Sequence, residues 1–218
     1  MNTKLIASLL SVTVSACSTF DSSRIAPGYI EAFQTIRSIY FEDNRLQISP
    51  ETIKNIPYAS ALLKIGKGSQ GLIILESLEN DEETWVSADG LFIVIKKGRI
   101  VQTSGIEHNL TNFRSNVNID LDNTSTQPYY QYYSYDKPFL NDLRIKATLM
   151  DKGFQEVVLF DQIRKLTLIE ELIKSDYHGW SFVNQYWLDD RGIIVKSRQK
   201  ISPKLPFFEI EITKKPAK

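Results

Sequence analysis

Residues 91–102 read Leu-Phe-Ile-Val-Ile-Lys-Lys-Gly-Arg-Ile-Val-Gln, and this stretch decides the fold class. Two β-branched runs flank Lys97-Gly98, a dipeptide suited to the left-handed backbone of a two-residue hairpin turn. Leu91–Lys96 is therefore expected to pair antiparallel with Arg99–Gln102. The same punctuation recurs downstream. Asp151-Lys152-Gly153 is expected to join Arg144–Leu149 to Phe154–Leu159, and Asp190-Arg191-Gly192 to separate Tyr186–Leu188 from Ile193–Val195.

Extending this reading places strands over 58–66, 70–78, 83–87, 91–97, 99–104, 128–135, 143–150, 154–160, 164–174, 180–188, 193–201 and 207–214. In 164–174 the positions Leu166, Ile169, Leu172 and Ile173 also fit a helical stripe, but the flanking hairpins favour a strand. So many consecutive antiparallel strands predict a mainly β fold, a barrel-like or strongly curved sheet. A short helical segment is expected before it. Ile30, Phe33, Ile36, Arg37 and Tyr40 recur at three- and four-residue spacing over 27–41. Ser49-Pro50-Glu51 then supplies an N-cap, a first-turn proline and a first-turn acid for a second short helix ending before Pro57.

The first residues carry a different message. Lys4 precedes an apolar stretch from Leu5 to Val14, a signal-peptide layout too short for the ~20 residues of a membrane-spanning helix. It closes with Val14-Ser15-Ala16-Cys17, which resembles the bacterial lipobox. Cys17 is the only cysteine, so no disulfide can form within one chain. A thioether-linked lipid would remove a thiol that has no partner in an oxidising compartment. The expected organisation is a signal peptide over 1–16, a lipidated tether over 17–26 reaching at most ~30 Å, and a single β-rich domain over 27–218. The covalent lipid on Cys17 attaches the protein to a membrane, and no other cofactor is expected. Ser18 follows the cysteine where the retention signal of enteric bacteria has aspartate. That pattern implies the outer membrane, periplasmic face.

Loss of Lys4 with the signal peptide leaves 25 basic against 26 acidic residues, a balance that does not call for nucleic acid. Hydrophobic residues make up 42% of the chain, enough for one substantial core.

The second half carries Trp180-Ser181-Phe182-Val183-Asn184-Gln185-Tyr186-Trp187, then Asp189, Gly192, Ser197-Arg198-Gln199 and Ser202-Pro203. Upstream stand Pro57-Tyr58-Ala59-Ser60 and Thr84-Trp85-Val86-Ser87-Ala88-Asp89-Gly90. These blocks, in this order, resemble the YjbF/GfcB lipoproteins, most loosely over 105–142. The resemblance implies a barrel-like outer-membrane lipoprotein encoded among genes for capsule or exopolysaccharide production and export. Its expected partners are a polysaccharide or polysaccharide-export proteins.

Little catalytic chemistry is legible. His108 and His178 lie on expected loops without a metal-binding spacing, so no metal and no catalytic residue is expected. Asp89, Glu170, Glu171, Asp189 and Asp190 are the carboxylates that a glycosidase reading would nominate, but turn acids such as Asp189-Asp190 ordinarily just begin hairpins. The aromatic run Tyr129-Tyr130-Gln131-Tyr132-Tyr133-Ser134-Tyr135 could offer stacking faces to sugar rings. One alternating set, Tyr130 with Tyr132 or Tyr129 with Tyr133 and Tyr135, is expected to fill the core instead. Trp85, Asp89, Trp180, Asn184, Trp187, Arg198 and Gln199 are the candidate glycan or partner contacts. The alternative places them in a barrel interior, bonded to backbone groups or to Asp89. Three functions remain open: a non-catalytic accessory of polysaccharide export, a carrier for a lipid or other apolar ligand, and a glycan-acting enzyme. A carrier needs an unfilled apolar cavity, an enzyme paired carboxylates in a cleft, and a scaffold an exposed apolar patch.

Overall fold

The computed structural model describes residues 51, 53, 55–118, 120–121, 127–159 and 162–215. Cys17, the tether and the helix expected over 27–41 lie outside them. Of the second expected helix, Glu51 and Ile53 have helical backbone, and the Asn55 N–H donates to the Glu51 carbonyl at 3.3 Å.

Twelve strands follow: β1 (Ser60–Ile65), β2 (Gln70–Glu79), β3 (Glu82–Ser87), β4 (Phe92–Lys96), β5 (Arg99–Ser104), β6 (Leu110–Ser115), β7 (Tyr129–Tyr135), β8 (Leu140–Leu159), β9 (Gln162–Ser175), β10 (Trp180–Leu188), β11 (Ile194–Gln199) and β12 (Phe208–Lys214). They form one antiparallel sheet in the order β5-β4-β3-β2-β1-β12-β11-β10-β9-β8-β7-β6, curled into a nearly closed barrel. Consecutive strands pair except β5 and β6, and β1 joins β12 with Leu63 opposite Ile210. The two edges, β5 and β6, meet across a seam where the Leu110 N–H donates to Thr103 Oγ1 at 2.9 Å. We call the end bearing Ser60 and Lys214 the near rim, and the end bearing the β5–β6 turn the far rim.

The hairpins at Lys97-Gly98 and Asp190-Arg191-Gly192 form as expected, with Lys97 and Gly98 at φ 48° and 77°. Residues 164–174 are strand, within β9. Two expectations are corrected. Asp151-Lys152-Gly153 does not turn the chain: β8 runs straight through it, and its register against β9 slips between Asp151 and Phe154. Gly153 takes φ 74° and its N–H bonds Asp151 Oδ1 at 2.7 Å, so the residues chosen for a hairpin build a bulge. A left-handed glycine serves both devices, and the long unbroken β9 decides between them by pairing with β8 on both sides of the bulge. The second correction is β6, whose Leu-Thr-Asn-Phe-Arg-Ser is too polar to read as a strand but pairs with β7 at the sheet edge.

Inward-facing Ala61, Leu63, Ile73, Trp85, Ile93, Ile145, Ile173, Tyr186, Phe208 and Ile210 form the main core. Each large side chain fully buried there contributes roughly 1.5–3 kcal/mol. The apolar runs of β1 to β3 reflect burial on both faces, because Leu62, Leu72, Ile74 and Val86 alternate with core residues and are buried too. The turn between β4 and β5 packs tightly inside: a Cβ on Gly98 would lie 1.9 Å from Ile194 Cδ1. Beyond its bulge, the β8–β9 hairpin carries a separate cluster in which Leu159 and Leu166 meet Val195 and Trp187.

Candidate functional site

The interior is not wholly apolar. Alternation brings Arg99 from β5, Tyr129, Gln131 and Tyr133 from β7, Glu171 from β9, Tyr186 from β10 and Gln199 from β11 to one inner region. Glu171 is 1% exposed, and its Oε1 accepts Arg99 Nε at 3.0 Å and Gln131 Nε2 at 2.8 Å. The Tyr129 hydroxyl also bonds that oxygen, and the Tyr186 hydroxyl donates to Oε2 at 2.9 Å. Tyr133 completes the cluster through Gln131 Oε1 at 2.9 Å. Burial alone would raise the Glu171 carboxyl. The Arg99 guanidinium and the bonds from Tyr129 and Tyr186 outweigh it and hold the group below its ordinary value. Burial and the Glu171 charge push the Tyr129, Tyr133 and Tyr186 phenols up, so they stay neutral donors. A carboxylate held ionised and bonded on both oxygens is a poor general acid and has no proton to give.

Three other nominated carboxylates, Glu170, Asp189 and Asp89, have separate attachments. Glu170 lies on the opposite face of β9 from Glu171 and accepts Gln185 Nε2 at 3.1 Å. Asp189 caps its turn through the N–H groups of Arg191 and Ile193 and pairs with Lys215 at 2.6 Å. Asp89 bonds Ser87 Oγ in the β3–β4 turn at the far rim.

The seven candidate contacts do not share one groove. Trp85 is buried inside, with Nε1 donating to Glu83 Oε2 at 3.0 Å. Gln199 is also inside and ties β11 across the barrel to the β4–β5 turn: it accepts the Ile100 N–H at 3.0 Å and donates to the Gly98 carbonyl at 2.9 Å. Asn184 accepts the Lys200 N–H at 2.7 Å. Trp180 stacks on Phe182 at the far rim, with centroids 5.0 Å apart. Arg198 and Trp187 face outward, Arg198 over the Phe207 ring and 3.5 Å from Glu209, Trp187 within the hairpin cluster. Of the aromatic run, Tyr129, Tyr133 and Tyr135 are buried, and Tyr130 and Tyr132 carry Arg144 and Arg114 over their outer faces. His108 Nδ1 meets the Lys137 carbonyl and His178 Nδ1 meets Ser175 Oγ, in separate turns. Among the described residues, no group of three potential ligands could hold a metal ion.

Arg99 is the residue that sequence reasoning missed. It follows the hairpin glycine in a strand that alternates Arg-Ile-Val-Gln, and nothing local marks its inward orientation. Glu171, opposite in charge on a strand of β-branched residues, was the only available hint of a buried partner.

Two further features could meet a ligand or partner. A cavity of about 470 Å³ opens at the near rim, with Trp85, Ile95, Leu121, Ile194, Ile210 and Ile212 in its largely apolar wall. On the β8–β9 hairpin, Phe154 (69% exposed), Val158 (59%) and Ile163 (70%) share one face, since Val158 stands opposite Ile163 and Phe154 opposite Thr167.

Residues 33–213 match the family described as group 4 capsule polysaccharide lipoprotein GfcB, YjbF. The chain belongs to the YjbF family. Its relatives in this family include two Escherichia coli K12 proteins, both described as uncharacterized lipoproteins. YjbF is 23% identical over 176 residues, covering 77% of this chain and 80% of its own. GfcB is 19% identical over 203 residues, covering 90% and 91%. The crystal structure of the hypothetical lipoprotein YmcC from Escherichia coli K12 shares the fold, with a TM-score of 0.72 at 19% identity over 85% of this chain and 96% of that one. Membership of the YjbF family thus ties the barrel to capsule-polysaccharide-associated lipoproteins.

Proposed function

We propose that the protein is a non-catalytic accessory of capsule or exopolysaccharide biogenesis or export, held by acyl chains on Cys17 at the periplasmic face of the outer membrane. It binds the glycan or a protein of the export machinery. The observation that carries this reading is the family match over 33–213. The geometry adds support in two ways. Glu171 is committed to a closed structural network, and Asp89, Glu170 and Asp189 serve turns or surface bonds, so these four described acids form no pair placed for glycoside hydrolysis. The exposed apolar face of the β8–β9 hairpin offers a surface to a macromolecular partner. A second reading, a periplasmic carrier of a lipid or other apolar ligand, is favoured by the near-rim cavity.

Surface polysaccharide measured in a deletion strain tests the first reading. Loss or shortening of the polysaccharide is expected, restored by the wild-type gene and not by Cys17→Ala, whose product should leave the membrane fraction. Polysaccharide unchanged in amount and length on deletion would refute the accessory role and favour the carrier.

A further inference from the structure

The sheet's seam is the least explained part of the barrel. Near the far rim β5 and β6 are held by the Leu110–Thr103 bond, but toward the near rim they part around a cleft of about 400 Å³. Lys96, Lys97 and Arg99 stand on one side, Arg114 and Asn116 on the other, and the buried Gln131 forms part of the floor. Among the described residues, this lining holds four cationic side chains and no carboxylate.

Each cation has an acid partner, and each of those acids lies outside the lining: Arg99 with Glu171 at 3.0 Å, Lys96 with Glu82 at 2.9 Å, Lys97 with Asp120 at 2.5 Å, Arg114 with Asp142 at 3.0 Å. The cations bordering the cleft are thereby each held by an ion pair. Arg114 is further fixed flat over the Tyr132 ring, 4.0 Å from its centroid. Fixing long side chains in advance reduces the ordering cost of binding. The planar guanidinium of Arg114 suits a carboxylate, while an amide such as Asn116 suits hydroxyls. The volume falls in the range of small-ligand sites.

We propose that this seam cleft binds a short acidic-sugar segment of a surface polysaccharide, with Lys96 and Arg114 facing its carboxylates and Asn116 its hydroxyls. The proposal rests on the accessory reading for its source of ligand, and on the cleft alone for its chemistry.

Calorimetric titration of the full lipidated chain in detergent, with trigalacturonic acid as probe, tests it. Binding is expected, weakened about tenfold or more when the carboxyls of the trisaccharide are reduced to alcohols. The doubly substituted Lys96→Ala, Arg114→Ala protein should lose affinity by a similar factor at an unchanged thermal midpoint. Lys165→Ala, on the hairpin, should bind as wild type. No binding of the acidic trisaccharide, equal binding of the reduced one, equal binding of inorganic phosphate, or full affinity in the double variant would each overturn the proposal. Failure of the accessory reading looks different. A double variant that cannot bind yet restores polysaccharide in the deletion strain sinks the cleft alone, whereas a deletion without phenotype sinks the accessory role even if the trisaccharide binds.

Discussion

A Glu171→Gln substitution keeps the shape of the side chain but removes the charge that compensates Arg99. The pair is 7% and 1% exposed at the side chains, so the remaining guanidinium cannot recover its lost partner from water. Breaking a buried ion pair from one side costs about 3–5 kcal/mol. For a domain of about 150–250 residues each kcal/mol moves the midpoint by about 2–4 °C, giving a fall of roughly 6–20 °C. Adding Arg99→Gln removes the orphaned charge, so the double variant should be more stable than Glu171→Gln alone, with a coupling of about 2 kcal/mol or more. Urea unfolding followed by tryptophan fluorescence and circular dichroism measures all four proteins. The pH dependence carries its own sign. Glu171 is held below the ordinary carboxylate value of 4.5, so the unfolded chain takes up the proton more readily. Its contribution is complete above that value and is lost as pH falls through it toward the folded one. Glu171→Gln should therefore show a flatter acid limb than wild type. A single-variant cost below ~1 kcal/mol, or single costs that simply add in the double variant, would refute the account of the core as charge-compensated.

Three of the glycines at positive φ separate backbone strain from crowding. Gly153→Ala meets open space and should cost about 1 kcal/mol, whereas Gly105→Ala places a Cβ 2.7 Å from the Gly90 carbonyl oxygen and should cost about 3 kcal/mol or more, with Gly98→Ala against the Ile194 side chain in between; urea midpoints rank them. Gln199→Leu leaves the Ile100 N–H and the Gly98 carbonyl without their side-chain partner. It should cost about 2–4 kcal/mol and speed hydrogen exchange at the Ile100 amide.

The strands were legible wherever turn chemistry and β-branched runs agreed, as at Lys97-Gly98 and Asp190-Arg191-Gly192. They were not legible where one local signal serves two geometries: Gly153 looks the same before a bulge as before a turn, and only the length of β9 distinguishes them. At the polar edge strand β6, pairing with β7 rather than composition makes the strand. Alternation sorted the tyrosines into two sets, Tyr130 with Tyr132 and Tyr129 with Tyr133 and Tyr135, but could not say that the second faces inward. Arg99 could not be read from it either, because its orientation follows from tertiary pairing with Glu171, 72 residues away. For the same reason, residues that share a motif near 180–199 are sent by that alternation to opposite faces of the wall.

Because β1 and β12 adjoin in mid-sheet while the consecutive β5 and β6 form its edges, the strand order is that of a simple meander opened at one turn and rejoined through the chain termini. Two locally wired halves, β1 to β5 and β6 to β12, can each zip from nearest-neighbour hairpins. Only the β1–β12 ladder must be found across more than 140 residues, at the larger loop-closure cost. In a chain delivered amino end first, β1 arrives with its partner still to come, and its Ala-Leu-Leu-Lys-Ile edge stays open until the last strand emerges. The interval before that final pairing is when the open β1 edge is most exposed to aggregation, which makes β12, remote from the seam, the strand whose arrival completes the sheet.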